Sequence, residues 1–414
     1  MKRLWSQKKT RKYFLLKKII KINNVGNENT DRLINNKEEF GIFSKEYQEK
    51  HEMPFAFGIG VNYKDSKKNT LATRWLSVNV AINEKDRNFG TASALLEFFN
   101  IEMGEKTPFC YKEFSTKISM DILSSYFHMF VEDDTKRHEN VEALQSFSKS
   151  SSENINSFSV IFYHKEEFLT TQPIQNIADA HFRLALISRL KYKPNVLNLE
   201  KVFSTLPTLV WTSNGVFTPE EYNKTKWMSG EFNSLQILVD KFPPLFFGAP
   251  IPEGVRIMNP LSARLGAYLS PGTTIMPYGF VNFNAGTLGK AMVEGTITAG
   301  VTIGDGTDVG KGAGFLGTLS GGNTLVLSAG KDCLIGALAE CGIPLGNNCV
   351  VSTGVCFTAN TPFMEVSATK DTLRKAIDFS GIDNITFRRN ASGQLEVIHK
   401  GNKAELNPAL HAGG

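Results

Sequence analysis

Apolar residues recur every six positions between Gly254 and Phe363, and no common secondary structure has that period. Leu269, Ile275 and Val281 keep the register, and Val293 rejoins it two steps later. Ile303, Val309 and Phe315 form a second run, and Leu345, Val351, Phe357 and Phe363 a third. An α-helix repeats at 3.6 residues and a strand at 2. A period of six fits a parallel β-helix in which each hexapeptide makes one flat side and one corner. The apolar residue fills the bore. Gly and Asn crowd the intervening positions, where tight corners need a positive φ. A Gly-rich β-sandwich is the competing fold, but three runs in phase argue against it. Ser320–Asn323 (SGGN) breaks the register and reads as a loop ejected from the coil.

The 414 residues leave room for further domains. Pro54–Asp240 reads as a mixed α/β domain. Phe55–Val61, Trp75–Val80 and Phe158–Tyr163 are rich in aromatic and β-branched residues and read as strands. Asp179 can cap a helix running to about Leu190, and Thr218 followed by Pro219 marks a second helix start. Glu132–Asn156 is polar and reads as a loop or insert with a mobile tip. Pro243–Pro252 carries four prolines and reads as a rigid linker. Lys370–Ile377 reads as a short helix. Ile385–Arg389 and Gln394–His399 read as a hairpin around Asn390–Gly393. The expected units are therefore 1–52, 53–242, 253–363 and 364–414.

Met1–Ile22 holds nine Lys or Arg and no acid. Its apolar run is broken by Lys17, Lys18 and Lys21, and no small-residue cleavage site follows, which argues against a signal peptide. Residues 1–52 read as a basic, disordered extension, with an amphipathic surface helix as the alternative. Met53 opens MPFAFGIGV and is a candidate start of the folded chain. The net charge of +5 is mild and concentrated in this extension, so it gives no case for nucleic acid. No stretch reaches the ~18 apolar residues of a membrane span. Cys110, Cys333, Cys341, Cys349 and Cys356 form no CxxC pair, as expected of reduced core thiols in a cytoplasmic protein.

The coil restricts its own chemistry. No His occurs between His181 and His399, so a coil histidine cannot act as a base. Only five carboxylates lie between Gly254 and Thr361: Glu294, Asp305, Asp308, Asp332 and Glu340. Asp305 and Asp308 sit in GDGTDVG and read as solvated turn acids. Glu294 stands alone in an apolar register, either functional or simply turned to solvent. No His/Cys/Asp cluster has zinc-ligand spacing. GDGTDVGKGAG lacks the GK[ST] ending of a phosphate loop.

GFVNFNAGTLGKAMVEG, TAGVTIGDGTDVG, GTLSGG, LIGA, GIPLGNNCVV and FRRNASG together resemble tetrahydrodipicolinate N-succinyltransferase, in its longer actinobacterial and pseudomonad-type form. Outside the coil, FAFGIGV, KPNVLNLEKVF, LPTLVWTSNG, DKFP, GVRI and AELNPALHA have family counterparts, so the resemblance covers roughly Phe55–Ala412. It implies an α/β N-terminal domain, a left-handed parallel β-helix, a small C-terminal β segment, and a cytoplasmic homotrimer with active sites between subunits. It also implies transfer of succinyl from succinyl-CoA to the amine of ring-opened tetrahydrodipicolinate, on the diaminopimelate route to lysine. Succinyl-CoA is then a co-substrate, and no cofactor is held permanently.

By the same resemblance MVEG places the catalytic glutamate at Glu294, as acyl-anhydride nucleophile or as general base. Backbone N–H groups at the glycine corners would serve as oxyanion donors. Ala337, Lys375, Arg388, Arg389 and Asn390 match succinyl-CoA contacts. Other contact positions carry a changed residue: Thr296 in place of Arg, Lys311 and Gly314, Ser352 and Thr353, Asn360, and Ala391. Lys311 is a candidate substitute for the lost cation at 296. The family's axial magnesium uses two carboxylates, whose positions are Leu261 and Tyr278 here. Magnesium is therefore expected to be absent, with apolar and aromatic packing in its place. The alternatives are an acyltransferase of the same fold with another acyl donor, such as acetyl-CoA, and a catalytically weakened β-helix trimer.

Overall fold

The computed structural model describes residues 34, 36–84, 87–114, 138–149, 155–213, 215–227, 237–317, 319–320, 325–367 and 369–399. The chain forms two compact units, Met1–Gln172 and Pro173–Gly414.

The first unit is an antiparallel sheet covered by helices. Strands β1 (Ala56–Lys64), β2 (Thr70–Val80), β3 (Phe109–Phe114) and β4 (Ile155–Tyr163) lie in the order β2-β1-β4-β3. The expected extension 1–52 is corrected in its last part. Lys37–Lys50 is a helix, α1, whose Asn36 side chain accepts the Glu39 N–H. Phe40, Ser44 and Tyr47 recur at helical spacing and are buried. Gly90, on helix α2 (Phe89–Phe98), lets the Phe40 ring approach, since a Cβ there would lie 3.1 Å from it. This face joins a core with Phe57, Leu95, Phe158 and Phe162. Apolar burial, invisible in a charge-rich composition, orders the segment. Within the expected loop 132–156, Glu139–Lys149 is a helix, α3, with Val141, Ala143 and Leu144 in the same core. Met1–Ile22, residues 150–154 and the AELNPALHA segment lie outside the described residues.

The expected boundary at 242 moves to 172, because the stretch after Pro173 packs onto the first coil. Helix α4 (Glu166–Thr171) ends the first unit and helix α5 (Ile177–Ser188) opens the second. The cap of α5 is Asn176, not Asp179. Asp179 instead holds a fully buried ion pair with Arg183, Nε to Oδ1 at 2.8 Å. Arg183 Nη1 also reaches the Asn198 carbonyl at 2.7 Å, tying the helix to the following loop. Ser188 accepts the N–H of Gly266 in the first coil at 2.8 Å. The Pro243–Pro252 stretch is more than a linker, because Leu245–Gly248 forms a helical turn and Leu245 N–H bonds the Ala263 carbonyl.

The coil has three parallel sheets. The first contains Arg256–Ile257, Thr273–Ile275, Ala291–Val293, Asp308–Val309, Leu334–Ile335, Val350–Val351 and Ile385–Arg389. The second contains Phe280–Val281, Thr296–Ile297, Gly314–Phe315, Glu340–Cys341 and Cys356–Phe357. The third contains Ala267–Leu269, Ala285–Thr287, Thr302–Ile303 and Ser328–Ala329. This is a three-sided parallel β-helix. Every residue of the three six-residue runs is buried. Asn284, Asn348 and Asn384 take φ near +52 to +61°, as the corners require. Leu319–Ser320 and Leu325–Val326 form an antiparallel hairpin outside the ladder, so the SGGN region does leave the coil; residues 321–324 lie outside the described ones.

Two local readings change. Thr372–Lys375 is a strand paired antiparallel with Pro362–Val366, followed by a 3-10 turn at Ala376–Phe379, so Lys370–Ile377 is not a helix. Sheet pairing overrides its helical composition. Asp308 is not a solvated turn acid. It is buried, and its Oδ1 accepts the Met292 N–H of the preceding coil at 2.9 Å. Asp305 is exposed but does the same for Lys290, at 2.7 Å.

The buried pair gives a test of stability. Asp179→Ala leaves the Arg183 guanidinium uncompensated and should cost about 3–5 kcal/mol in chemical denaturation. An Asp179→Leu/Arg183→Met double variant should recover most of that loss.

Candidate active site

Coil-to-coil hydrogen bonding gathers the sequence-predicted residues along one corner. Ile275, Val293, Val309, Ile335, Val351 and Phe387 pair in register up the first sheet. The next residue in each coil continues the ladder: Glu294 N–H bonds the Val309 carbonyl, Gly310 the Ile335, Gly336 the Val351 and Ser352 the Phe387 carbonyl, all at 2.8–2.9 Å. Glu294, Gly310, Gly336, Ser352 and Arg388 therefore form one column. Lys311, Ala337, Thr353 and Arg389 follow one residue later. Parallel strands stand about 4.8 Å apart, so this column is a regular edge.

The corner at Glu294 is tighter than its neighbours. Thr296 N–H already bonds the Ala313 carbonyl, so Glu294 and Gly295 make a turn that takes four residues in the next coil. A Cβ at Gly295 would overlap the Ala313 carbonyl oxygen, and one at Gly279 the Val293 carbonyl oxygen. Glycine is thus required at 295, next to Glu294, and at 279 on the preceding coil, against the Val293 carbonyl; the Glu294 side chain is half-buried. Lys311 bridges this tight turn, with Nζ 5.8 Å from the centroid of the Tyr278 ring on the preceding coil. The Lys311 ammonium is consequently held across the coil that carries Glu294.

The N–H groups of Gly295, Lys311, Ala337 and Thr353 have no acceptor among the described residues. They form a row of open donors beside Glu294. Of the glycine corners, Gly310 and Gly336 have their N–H groups committed to the ladder, whereas that of Gly295 is open.

Thr296 and Gly314 lie on the second sheet, outward and in register with Glu340 and Cys356. Arg388 and Arg389 cap the corner. Arg388 Nε donates to Glu396 Oε1 at 2.6 Å and Arg389 Nη1 to the Gly393 carbonyl at 3.1 Å. Asn390 shapes the hairpin turn, its Oδ1 accepting from Ser392 and Gln394 N–H; Ala391 lies in that turn. Lys375 and Asn360 are separate from this edge. Lys375 pairs with Pro362, and its neighbour Ala376 bonds the Thr361 carbonyl, so both stand at the next corner.

His181 is buried against Trp211 and Phe247, which pushes its pKa down to about 3. It is a neutral core residue. Among the described residues no group of three or more His, Cys, Asp or Glu could hold a metal, and Leu261 and Tyr278 present no carboxylate. Glu340 was not singled out by sequence reading. The signal was its register with Thr296, hidden by the ejected hairpin.

The comparisons with known proteins agree with this architecture. Residues 38–204 match a family described as tetrahydrodipicolinate N-succinyltransferase N-terminal, and residues 326–359 match the hexapeptide repeat of succinyl-transferase. A 2,3,4,5-tetrahydropyridine-2,6-dicarboxylate N-succinyltransferase from Campylobacter jejuni is 32% identical over 402 residues, 92% of this chain and 100% of that one. The chain belongs to the tetrahydrodipicolinate N-succinyltransferase family. Enzymes of the same description from Vibrio cholerae and Pseudomonas aeruginosa are 40% and 41% identical, each over 57% of this chain and 70% of their own. A solved Campylobacter jejuni structure, described as a 2,3,4,5-tetrahydropyridine-2-carboxylate N-succinyltransferase, superposes with a TM-score of 0.76 at 29% identity. It covers 89% of this chain and 98% of its own. The N-terminal match begins within α1, which supports helix α1 as part of the family fold rather than an appendage.

Leu338 departs from the corner chemistry around it. It holds φ at +58°, between Gly312 and Gly354 in the stack, and is 68% exposed. A left-handed conformation costs a non-glycine residue about 1–2 kcal/mol. Leu338→Gly should therefore raise the unfolding free energy by about 1 kcal/mol after the entropy of the added glycine, and with it the denaturation midpoint. A lowered midpoint would show that the leucine side chain is held by contacts outside this chain.

Proposed function

We propose that this chain transfers the succinyl group of succinyl-CoA to the amine of ring-opened tetrahydrodipicolinate. The products are N-succinyl-2-amino-6-oxopimelate and free CoA, on the diaminopimelate route to lysine. Family membership supports the reaction class. The observation that carries the site is Glu294, next to the obligatory Gly295 at a tight corner, beside a row of open amide donors.

The chemistry follows from these parts. The free amine attacks the thioester carbonyl carbon. Glu294 takes the proton that the nitrogen must lose, acting as general base. The carbonyl oxygen gains negative charge, which open N–H groups such as that of Gly295 can accept as hydrogen bonds. The tetrahedral intermediate collapses, the C–S bond breaks, and Glu294 returns the proton to the departing CoA sulfur. We take this role over the acyl-anhydride nucleophile because an anhydride is a more reactive acyl donor than the thioester that would have to form it.

The remaining residues divide by how they can contact CoA. Lys311, Ala337 and Thr353 offer backbone N–H groups, so changes of side chain at the first and third leave that contact possible. Ser352 follows in the same corner, and Gly314 keeps the adjoining sheet face open. Arg388, Arg389 and Asn390 at the corner, and Lys375 with Asn360 at the next, suit the phosphates. Lys311 supplies the cation for the succinyl carboxylate that Thr296 cannot. The reading includes left-handed winding, a homotrimer with sites between copies, and a cytoplasmic location. Leu261 and Tyr278 do not fit an axial magnesium, and no step is routed through one.

Thiol release from succinyl-CoA in the presence of tetrahydrodipicolinate tests this directly, with acetyl-CoA as the competing donor. Wild type should prefer succinyl-CoA, and Glu294→Ala should lower the rate by about 100-fold or more. Preference for acetyl-CoA would favour the altered-donor alternative. No release from either donor, by a protein that still assembles, would overturn the proposal.

Thr296→Arg restores a cation on the exposed sheet face. With Lys311 already meeting the need, it should leave the ratio of kcat/KM for succinyl-CoA over acetyl-CoA within about twofold of wild type. A rise of about tenfold would show that Lys311 does not supply the cation.

A further inference from the structure

Glu340 is the one outward carboxylate on the second sheet of the coil. It stands in register with Gly314, which pairs in turn with Thr296, two residues after Glu294. Gly314 has no side chain, and Glu340 uses the space. Both carboxylate oxygens lie 3.6 Å from where a Cβ at Gly314 would be. The side chain thus lies over Gly314 along the stack, toward the Thr296 coil. It is partly buried, and its carboxylate has no hydrogen-bond or ion-pair partner among the described residues. The buried carboxylates Asp179, Asp308 and Glu396 each have such a partner, in Arg183, Met292 N–H and Arg388. Of the partly buried coil carboxylates without one, Glu294, Asp332 and Glu340, only Glu340 lies on the sheet face beside Thr296.

A carboxylate in this state costs free energy unless a donor arrives. Burial raises its pKa accordingly. The proposed substrates offer two kinds of charged group. The succinyl carboxylate and the CoA phosphates would be repelled. The acceptor amine, protonated when free in neutral water, would be attracted. Lys311 lies at the corner beside Glu294, whereas Glu340 lies on the sheet face past Thr296. The two charges of opposite sign therefore flank the region where donor and acceptor must meet.

We propose that Glu340 binds the amine of the acceptor as its ammonium and delivers it to the Glu294 corner. This rests on the proposed succinyl transfer. Ammonium binding sets the order of proton loss. The ammonium passes one proton to the Glu340 carboxylate, which later releases it to water, and so becomes nucleophilic. The second proton, lost on attack, goes to Glu294 and from there to the departing CoA sulfur.

The test is a split between kinetic constants in the full-length enzyme. Glu340→Gln keeps the shape and removes the charge. With succinyl-CoA saturating, KM for tetrahydrodipicolinate should rise about tenfold or more, while KM for succinyl-CoA stays within about twofold. Acceptor KM of the wild type should also rise as pH falls from about 8 to 5, because protonation discharges Glu340. In Glu340→Gln that component of the pH dependence should vanish. Thr296→Arg gives a second readout, since a guanidinium one coil beyond Gly314 can occupy the Glu340 carboxylate and should raise acceptor KM as well.

Binding measured by calorimetry separates this proposal from the one beneath it. The probe is 2-aminopimelate, which keeps the amine and both carboxylates without the oxo group. Wild type that binds the probe while Glu340→Gln binds it at least tenfold more weakly would support the assignment even if turnover is slow. Equal binding by the two proteins would overturn it while leaving succinyl transfer intact. A raised KM for succinyl-CoA, or dissociation of the assembly in Glu340→Gln, would also overturn it, since either would give the carboxylate another partner. Absence of both turnover and probe binding in wild type would reject both proposals together.

Discussion

Everything at the site depends on the parallel hydrogen-bond ladder between successive coils. It fixes a spacing of about 4.8 Å along the stack, and it fixes register, because each N–H has one carbonyl to meet. Val293 to Val309 to Ile335 to Val351 is a column of buried side chains. The residue after each must then be a column too, and it faces outward at the corner. Residues far apart in sequence, such as Glu294 and Arg388, reach one edge without any contact designed between them. Where a coil shortens its corner, as at Glu294–Gly295, the ladder does not adjust. The turn tightens and only glycine fits at 295, while open amide donors occur both there and at the regular corners of Lys311, Ala337 and Thr353.

The regular parts of this architecture were legible from one sequence. A six-residue apolar period has no other economical explanation, and its residues fill the bore. Corner glycines and asparagines were legible for the same reason. What escaped was whatever depends on pairing across long separations. Asp308 looked like a turn acid because its sequence is polar, yet it clamps the Met292 amide of the previous coil. Thr372–Lys375 has a helical composition and becomes a strand because Pro362–Val366 offers an edge. Lys37–Lys50 looked like part of a basic tail until Phe40, Ser44 and Tyr47 fell on one buried face. The column Thr296–Gly314–Glu340 was hidden because the hairpin at Leu319–Val326 shifts the count between its second and third members.

The corner also explains which departures from the family pattern the fold can absorb. A contact made by a main-chain amide is indifferent to the side chain it carries, so Lys311 and Thr353 can keep it. A contact made by a charge is not. Loss of a cation at 296 has to be met by another cation within reach, and Lys311 reaches back across the Glu294 coil to Tyr278. The Tyr278 face attracts the ammonium, weakly because the ring is itself 81% exposed. On the proposed assignment, the tyrosine at 278 would also supply a platform for the relocated cation. These two departures are coupled through one geometry.

Charge balance on the second sheet follows the same reasoning. An arginine at 296 would stand one coil from Gly314, over which Glu340 lies, and the two would neutralise each other. With threonine there, the carboxylate stays open. A half-buried carboxylate without a partner is a standing cost to the fold, and a glycine at 314 that accommodates it rather than excluding it gives the fold nothing in return. Such an arrangement is coherent when the missing partner is the substrate. Lys311 and Glu340 then share the binding of the two substrates. Under the two proposals, the cation at the corner would hold the donor's carboxylate, the anion on the face the acceptor's amine, and Glu294 would stand where the two meet.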